Sequence, residues 1–410
     1  MRVVFVIEES FRGTLAAQGF EERLMRLKPK AEVEEAPGQF WKDFIRDTAP
    51  ELRKSPLEQI DTLTRPIWAE LIDGSKYVNP RLQEIFAEVR PDAIVQDNVI
   101  AFAAVVTAGV PWVRIVSCNP AEVPDPAVPP ALSGLPTTDA HDWERFRRAY
   151  AQAHAELHRD FSVFCRDQGC PPLPEGRFMY ESPFLNVYNY PDELDYARQQ
   201  PLNPSWRQLE SCVRQTDVQF GIPQDWYVSP VNLPRSGKEI IYLSLGSLGS
   251  ADTQLMSRLI GILGDTNYRV IVSMGPQHQQ LTLAPNMIGG EFLPQPSILP
   301  QVDLVITHGG NNTVTESMHF GKPMIVLPLF WDQHDNAQRL QETGFGLRLD
   351  PYRAGKQELL GAIDRLLGNR PLIGRLPKIA GRLQAQRGTH QAAEWIDALA
   401  RSRLPVAGHN

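Results

Sequence analysis

The sequence predicts an α/β protein of two domains, each a parallel sheet covered by helices. Three observations carry this. The chain has 410 residues, too many for one ordinary core. Its apolar segments are short runs without polar alternation, separated by helix-period stretches, as in strands buried on both faces. The same alternation starts afresh near Lys238, after a proline-bearing stretch at 221–236.

Met1–Ile7 reads as the first strand; Asp92–Val95 and Trp112–Val116 read as two more, with Ile100–Ala108 as the crossover helix between them. From Asn119 to Pro136 the chain runs NPAEVPDPAVPPALSGLP. That proline density excludes a helix or a central strand, and loops of such length in compact domains are commonly functional. Residues 141–168 show helical spacing, FLNVYNYP reads as a strand, and a polar stretch leads to YVSP. The second set comprises EIIYLSL, YRVIVSM, VDLVITH and PMIVLPL as strands, with helices at Leu255–Gly264, Lys356–Leu367 and His390–Arg401. The expected division is a first domain over 1–222, a linker over 223–237 and a second domain over 238–389. Residues 390–410 follow as a helix and tail that pack back on the first domain. Ligands of open parallel sheets lie beyond the strands' carboxyl ends, so the cleft between the domains is the expected site.

Composition narrows the function classes. Hydrophobic content of 42% and charged content of 22% suit a soluble globular protein, and a net charge of −7 argues against nucleic acid as the main partner. Cysteines 118, 165, 170 and 212 form neither a metal spacing nor a disulfide framework, and read as reduced thiols of a cytoplasmic protein. The apolar N-terminal run is too short for a signal peptide and is cut by Glu8 and Glu9. AFAAVVTAGVPWVRIV contains Pro111 and Arg114 and is too short to span a bilayer. A monomer or homodimer without stable membrane insertion is expected.

Four stretches carry chemistry. THGGNNTVTE (307–316) places His308, Gly309 and Gly310 where a buried strand meets a helix. The glycines let backbone approach a ligand, and the helix start offers unpaired N–H groups and a positive dipole end, a seat for a diphosphate. Asn311, Asn312 and Thr313 add side-chain donors. The stretch alone equally suits a capped corner in which Asn312 or Thr313 closes the helix. IYLSLGSLGS ends another strand with Gly246 and Ser247; it lacks the dinucleotide fingerprint, so NAD is not supported. FLPQPSILPQVD offers Phe292 to stack on a base and Gln295 to bond a nucleoside, or else a proline-rich connection with Phe292 in the core. In PLFWDQHDNAQRL, Asp332 accepts and Gln333 donates, which suits neighbouring sugar hydroxyls, unless Asp332 is a helix cap.

Together these stretches resemble the donor-binding half of glycosyltransferase family 1, UDP-glycosyltransferase-like enzymes of GT-B fold and here of bacterial natural-product type. The resemblance runs through SLGS (244–247), FLPQ (292–295), THGGNNTVTES (307–317), GKP (321–323) and DQHDNA (332–337), in family order and spacing. It implies an inverting, metal-independent hexosyltransferase that moves a sugar, glucose first, from UDP- or dTDP-hexose to a small-molecule acceptor, with no further cofactor. Phe292 stands where the family stacks a Trp on the base, Gln295 at its nucleoside contact, and Glu316 at its ribose contact. His308, Gly310, Asn312, Thr313 and Ser247 match its phosphate side. Asp332 and Gln333 match its sugar-holding pair, and Trp331 the same pocket.

The resemblance breaks at the general base. The family's histidine after strand 1 is replaced by Thr14, whose hydroxyl has no useful basicity near neutrality. Asp97 matches the residue that orients that histidine. Asp97, Glu8 and Glu9 are the carboxylates left to act as base, unless the acceptor is acidic enough to need none. His154 and His158, spaced i, i+4, could ligate zinc, but a solvated helix face or the acceptor-pocket edge reads better. Trp143, Phe146, Tyr150, Phe161 and Phe164 stand as candidates for a hydrophobic acceptor pocket or, for most of them, core. Two other readings stay open: a sugar-nucleotide epimerase of the same shape, and a catalytically silent sugar-nucleotide-binding partner.

Overall fold

A computed structural model describes residues 2–29, 48–214, 216–223, 226 and 239–405. The expected YVSP strand and most of the expected linker lie outside these residues.

The C-terminal half is a six-stranded, wholly parallel sheet. Its strands are β7 (Ile240–Ser244), β8 (Arg269–Ser273), β9 (Met287–Gly290), β10 (Leu304–Thr307), β11 (Met324–Val326) and β12 (Gly346–Arg348), in the order β12-β11-β10-β7-β8-β9. The chain builds outward from β7 to β9, returns to β10 beside β7, and builds outward the other way. β7 and β10 are therefore the pair at which strand order reverses, where an open parallel sheet leaves its crevice. Every residue of both strands is buried, which explains their unbroken apolar reading. Their carboxyl ends are level, with Ser244 opposite Thr307.

In the N-terminal half, β3 (Ile94–Asp97), β4 (Trp112–Val116), β5 (Leu185–Asn189) and β6 (Trp206–Leu209) form a second parallel sheet, while β1 (Val4–Glu8) and β2 (Glu21–Met25) pair separately. β3 lies at the sheet edge and alternates buried with exposed residues. The expected crossover helix at 100–108 shrinks to Ala103–Val106.

Two long helices cover this half: α1 (Arg65–Val89) and α2 (Trp143–Asp167). α1 is not apparent in the sequence because it carries two prolines. Pro66 sits in its first turn, where a missing N–H is harmless, and Pro80 lies inside the helix. Of the aromatic candidates on α2, Trp143, Phe146 and Phe161 are core.

The remaining helices of more than one turn among the described residues are α3 (Thr253–Gly264), α4 (Asn311–His319), α5 (Gln333–Thr343), α6 (Lys356–Leu367), α7 (Arg370–Ala385) and α8 (Gly388–Ser402). α8 leaves the C-terminal half and lies on the other one. Leu399, Trp395 and Ile396 cover Val113, Leu185, Val187 and Leu209 of β4, β5 and β6. Among the described residues no helix is long and apolar enough to cross a membrane.

The halves are in contact. The proline-rich segment 119–137 lies against α5: Leu132 and Gly134 donate their N–H groups to Asp335 (2.6 and 2.8 Å), and Thr137 donates its own to Glu342 (2.8 Å). Gly134 has φ +58°, and a Cβ there would lie 2.8 Å from the His334 Cβ, so only glycine fits.

Candidate active site

The crevice between β7 and β10 holds the turn expected to seat a diphosphate. His308 follows β10 directly, and its ring lies between two glycines from the two strand ends. A Cβ on Gly246 would stand 2.8 Å from the ring Cε1, and one on Gly310 would stand 2.7 Å from Nε2. The two glycines thus define a slot for the imidazole. Burial pushes its pKa down to about 4, so the ring is neutral near pH 7. Thr307 Oγ1 lies 3.3 Å from Nδ1.

Helix α4 starts beside this ring. Its cap position is Gly310, and no side chain closes the end. The first-turn N–H groups are therefore left to a ligand or to solvent, rather than capped by Asn312 or Thr313. Asn312 and Ser247 are exposed at the rim of the crevice. Asn311 differs from its expected role: its amide turns away to the N-terminal half, with Nδ2 3.4 Å from the Asn189 carbonyl.

On the nucleoside side, Gln295 donates from Nε2 to Glu316 (2.6 Å) and to the Thr313 hydroxyl (3.4 Å). Three residues separated by up to 21 positions thus form one buried cluster beside the seat. Burial raises the Glu316 pKa, opposed by the Gln295 bond and by Arg214, whose Nε lies 3.7 Å from Oε1. Phe292 is 66% exposed. It is not core, and its ring face is open to a base.

On the sugar side, Asp332 stands at the cap position of α5 but makes no cap bond to its own helix. Its Oδ2 instead accepts the Asn119 N–H at 2.9 Å. Burial lifts its pKa to about 7; the Asn119 bond lowers it and Glu122 raises it. Gln333 uses Oε1 to accept the Leu329 and Phe330 N–H groups (3.0 and 3.3 Å). Trp331, at φ +58°, faces the N-terminal half rather than the diphosphate seat: its ring lies 5.4 Å from that of Trp68.

The carboxylates proposed for proton removal are unequal. Glu9 is ion-paired with Arg26 and Arg12, which hold its pKa below the usual range. Glu8 ends β1, half-buried. Asp97 ends β3, exposed, and accepts the Ser117 hydroxyl at 2.6 Å. Two residues after Ser117, the Asn119 N–H meets Asp332, and the Cys118 thiol between them is raised by burial and by the charges of Asp332, Glu122 and Asp97. Thr14 is exposed and donates to the Phe11 carbonyl.

His154 and His158 differ from the expected solvated face. His154 is buried, its Nδ1 2.7 Å from the Tyr150 carbonyl, and His158 Nε2 lies 2.9 Å from the Pro174 carbonyl. Among the described residues no group of metal-ligating side chains is found.

The sequence reading missed Asn119, Tyr190 and Asn336, all buried where the halves meet. For Asn336 a signal existed, since it lies four residues after Asp332 on the same helix face.

The fold and this crevice define a GT-B protein. Residues 231–378 match the family described as UDP-glucoronosyl and UDP-glucosyl transferase, so the chain carries a domain of glycosyltransferase family 1. Among similar sequences, the uncharacterized UDP-glucosyltransferase YdhE of Bacillus subtilis is 31% identical over 40% of this chain and 43% of its own length. The zeaxanthin glucosyltransferase of Pseudescherichia vulneris is 27% identical over 77% of this chain and 76% of its own. The chain's match to the Bacillus relatives spans about two-fifths of their length. Among solved structures, the glycotransferase of kitacinnamycin superposes with a TM-score of 0.68 at 18% identity, covering 97% of this chain and 91% of the other.

Proposed function

We propose that this protein is an inverting glycosyltransferase that moves a hexose, glucose first, from a nucleoside diphosphate to a small hydrophobic acceptor. One observation carries the reading. The His308 ring is slotted between Gly246 and Gly310, beside the open end of α4 at the strand-reversal point. This seat answers a diphosphate with N–H dipoles fixed before the reaction, which stabilise the leaving charge as it develops. A divalent cation is not called for by such donors. Gln295 and Glu316 take the nucleoside and Phe292 its base, while Asp332 and Gln333 take the sugar hydroxyls.

The acceptor oxygen attacks the anomeric carbon from the N-terminal half, opposite the leaving diphosphate, so configuration inverts. The bond to the diphosphate oxygen breaks with its electron pair, and the acceptor proton passes to Asp97, which Ser117 orients. Binding both substrates across the cleft supplies much of the acceleration through positioning. The zeaxanthin glucosyltransferase relative supports both glucose and a lipophilic acceptor.

The test is calorimetric binding of UDP- and dTDP-hexoses, followed by transfer to a panel of hydrophobic alcohols and phenols, with and without chelator. Glycoside with inverted configuration is expected, with turnover reduced at least about a hundredfold in Asp97→Asn and little in Glu9→Gln. Absence of nucleotide-sugar binding would refute the reading.

A further inference from the structure

A buried hydrogen-bond network joins the two halves at the sugar side of the crevice. Asn119, Tyr190 and Asn336 are 1%, 0% and 0% exposed. The Asn119 side-chain amide donates to Asn336 Oδ1 (2.8 Å) and lies 3.1 Å from the Tyr190 hydroxyl, which itself donates to Asn336 Oδ1 (2.9 Å). On its other side, Asn336 Nδ2 donates to the Gly309 carbonyl (2.9 Å), and more weakly to Asp332 Oδ2 (3.4 Å). The Asn119 main-chain N–H completes the circuit at Asp332 Oδ2. The orientation of Asn336 is fixed by its neighbours, because its oxygen meets two donors and its nitrogen meets a carbonyl.

Two of these residues belong to the N-terminal half, and two of the groups they hold belong to the donor site. Gly309 is the residue after His308, and Asp332 is the sugar-side carboxylate. Buried amides and hydroxyls are costly to leave unpaired, so this circuit is complete only when the halves sit in the register seen here. Separation would break the bonds that Asn119 and Tyr190 make to Asn336 and Asp332.

We propose that Asn119, Tyr190 and Asn336 are positioning residues that fix Asp332 and the His308 turn in their reactive arrangement only on closure of the cleft, so that sugar passes to the acceptor rather than to water. This rests on the transferase reading above. Asn119 and Tyr190 touch neither the nucleoside residues nor the His308 turn, so their loss leaves those contacts in place, whereas Asn336 holds the Gly309 carbonyl of that turn.

The experiment uses the full chain and the variants Tyr190→Phe and Asn336→Ala, with Asn119→Ala as a third that keeps the main-chain bond to Asp332. Affinity for the nucleoside diphosphate alone is expected to stay within about twofold of wild type in Tyr190→Phe and Asn119→Ala, and to fall in Asn336→Ala, which frees the Gly309 carbonyl. With a nucleotide sugar and an acceptor, kcat should fall about tenfold in Tyr190→Phe and further in Asn336→Ala, for the loss of one or more net hydrogen bonds. The ratio of sugar hydrolysed to sugar transferred should rise several-fold. That ratio does not depend on the fraction of folded enzyme, so a merely structural role would not move it. An unchanged ratio, or parallel loss of kcat and nucleoside diphosphate binding in Tyr190→Phe, overturns the proposal while leaving the transferase reading standing. If wild type binds and transfers no nucleotide sugar, the transferase reading falls, and amide exchange of segment 119–137 decides the coupling. Exchange at least about tenfold faster in Asn336→Ala supports it, and unchanged exchange refutes it.

Discussion

Replacing Gly310 with alanine should damage donor binding far more than folding. The backbone at Gly310, φ −59° and ψ 139°, is ordinary for any residue, so the substitution adds no left-handed strain. Its new Cβ would lie 2.7 Å from His308 Nε2 and 3.0 Å from Cε1, well inside contact distance. The ring has little room to retreat, because Gly246 also approaches it so closely that a Cβ there would stand 2.8 Å from Cε1. A displaced ring would give up the diphosphate contact proposed for it. A bond to a charged partner contributes about 1.5–3 kcal/mol, so affinity for a nucleoside diphosphate should fall by roughly tenfold to a hundredfold. Alanine is also a poorer helix cap than glycine, costing about 1 kcal/mol and about 2–4 °C of Tm. Calorimetric titration with UDP or dTDP, beside thermal melts, separates the two effects. Wild-type affinity together with the lowered Tm would refute the slot.

Three further outcomes follow from the electrostatics of the crevice. His308 is neutral with a pKa near 4, and an adjacent diphosphate favours its protonated form. Nucleoside diphosphate affinity should therefore strengthen as pH falls from 7 towards 5, more than in His308→Gln, which subtracts the phosphate's own titration; identical slopes would contradict this. Asp332 and Asp335 both titrate near 7 when folded, through burial, with Glu122 raising the first and Arg348 opposing the shift of the second. A carboxyl raised on folding holds its proton longer in the native state, so its contribution to stability declines from about pH 4 to pH 7. The Tm should show a component falling over that range, reduced in Asp335→Asn, and a variant slope equal to wild type would count against it. Glu316→Ala should weaken binding of a ribonucleotide about tenfold more than of its 2′-deoxy counterpart, read by competition; equal losses would remove Glu316 from the ribose.

Much of the C-terminal sheet was legible because β7, β8, β10 and β11 are buried on both faces and so read as unbroken apolar runs. Helix α5 was not, because the residues it buries first are Gln333, His334, Asp335 and Asn336, and periodicity of apolar residues cannot register a polar buried face. The short strand β2, EERLM, was hidden by its charges. Within the crevice, the glycine–histidine turn could be read locally, since its geometry is set by neighbours in sequence. The orientation of Asn311 and the partners of Asp332 could not, because they depend on Asn189 and Asn119 from the other half. Pairings across the cleft leave no local mark on either segment.

The return of α8 to the N-terminal half has a mechanical consequence. The chain has reached the C-terminal half by Phe220, whose carbonyl accepts from Gln301 Nε2 at 3.1 Å, and passes back before Gly388, where a Cβ would meet the Ser211 carbonyl at 2.1 Å. Two attachment points, unlike one, act as a pair of hinge pins. They deny the lobes free tumbling, since any separation must respect both tethers at once.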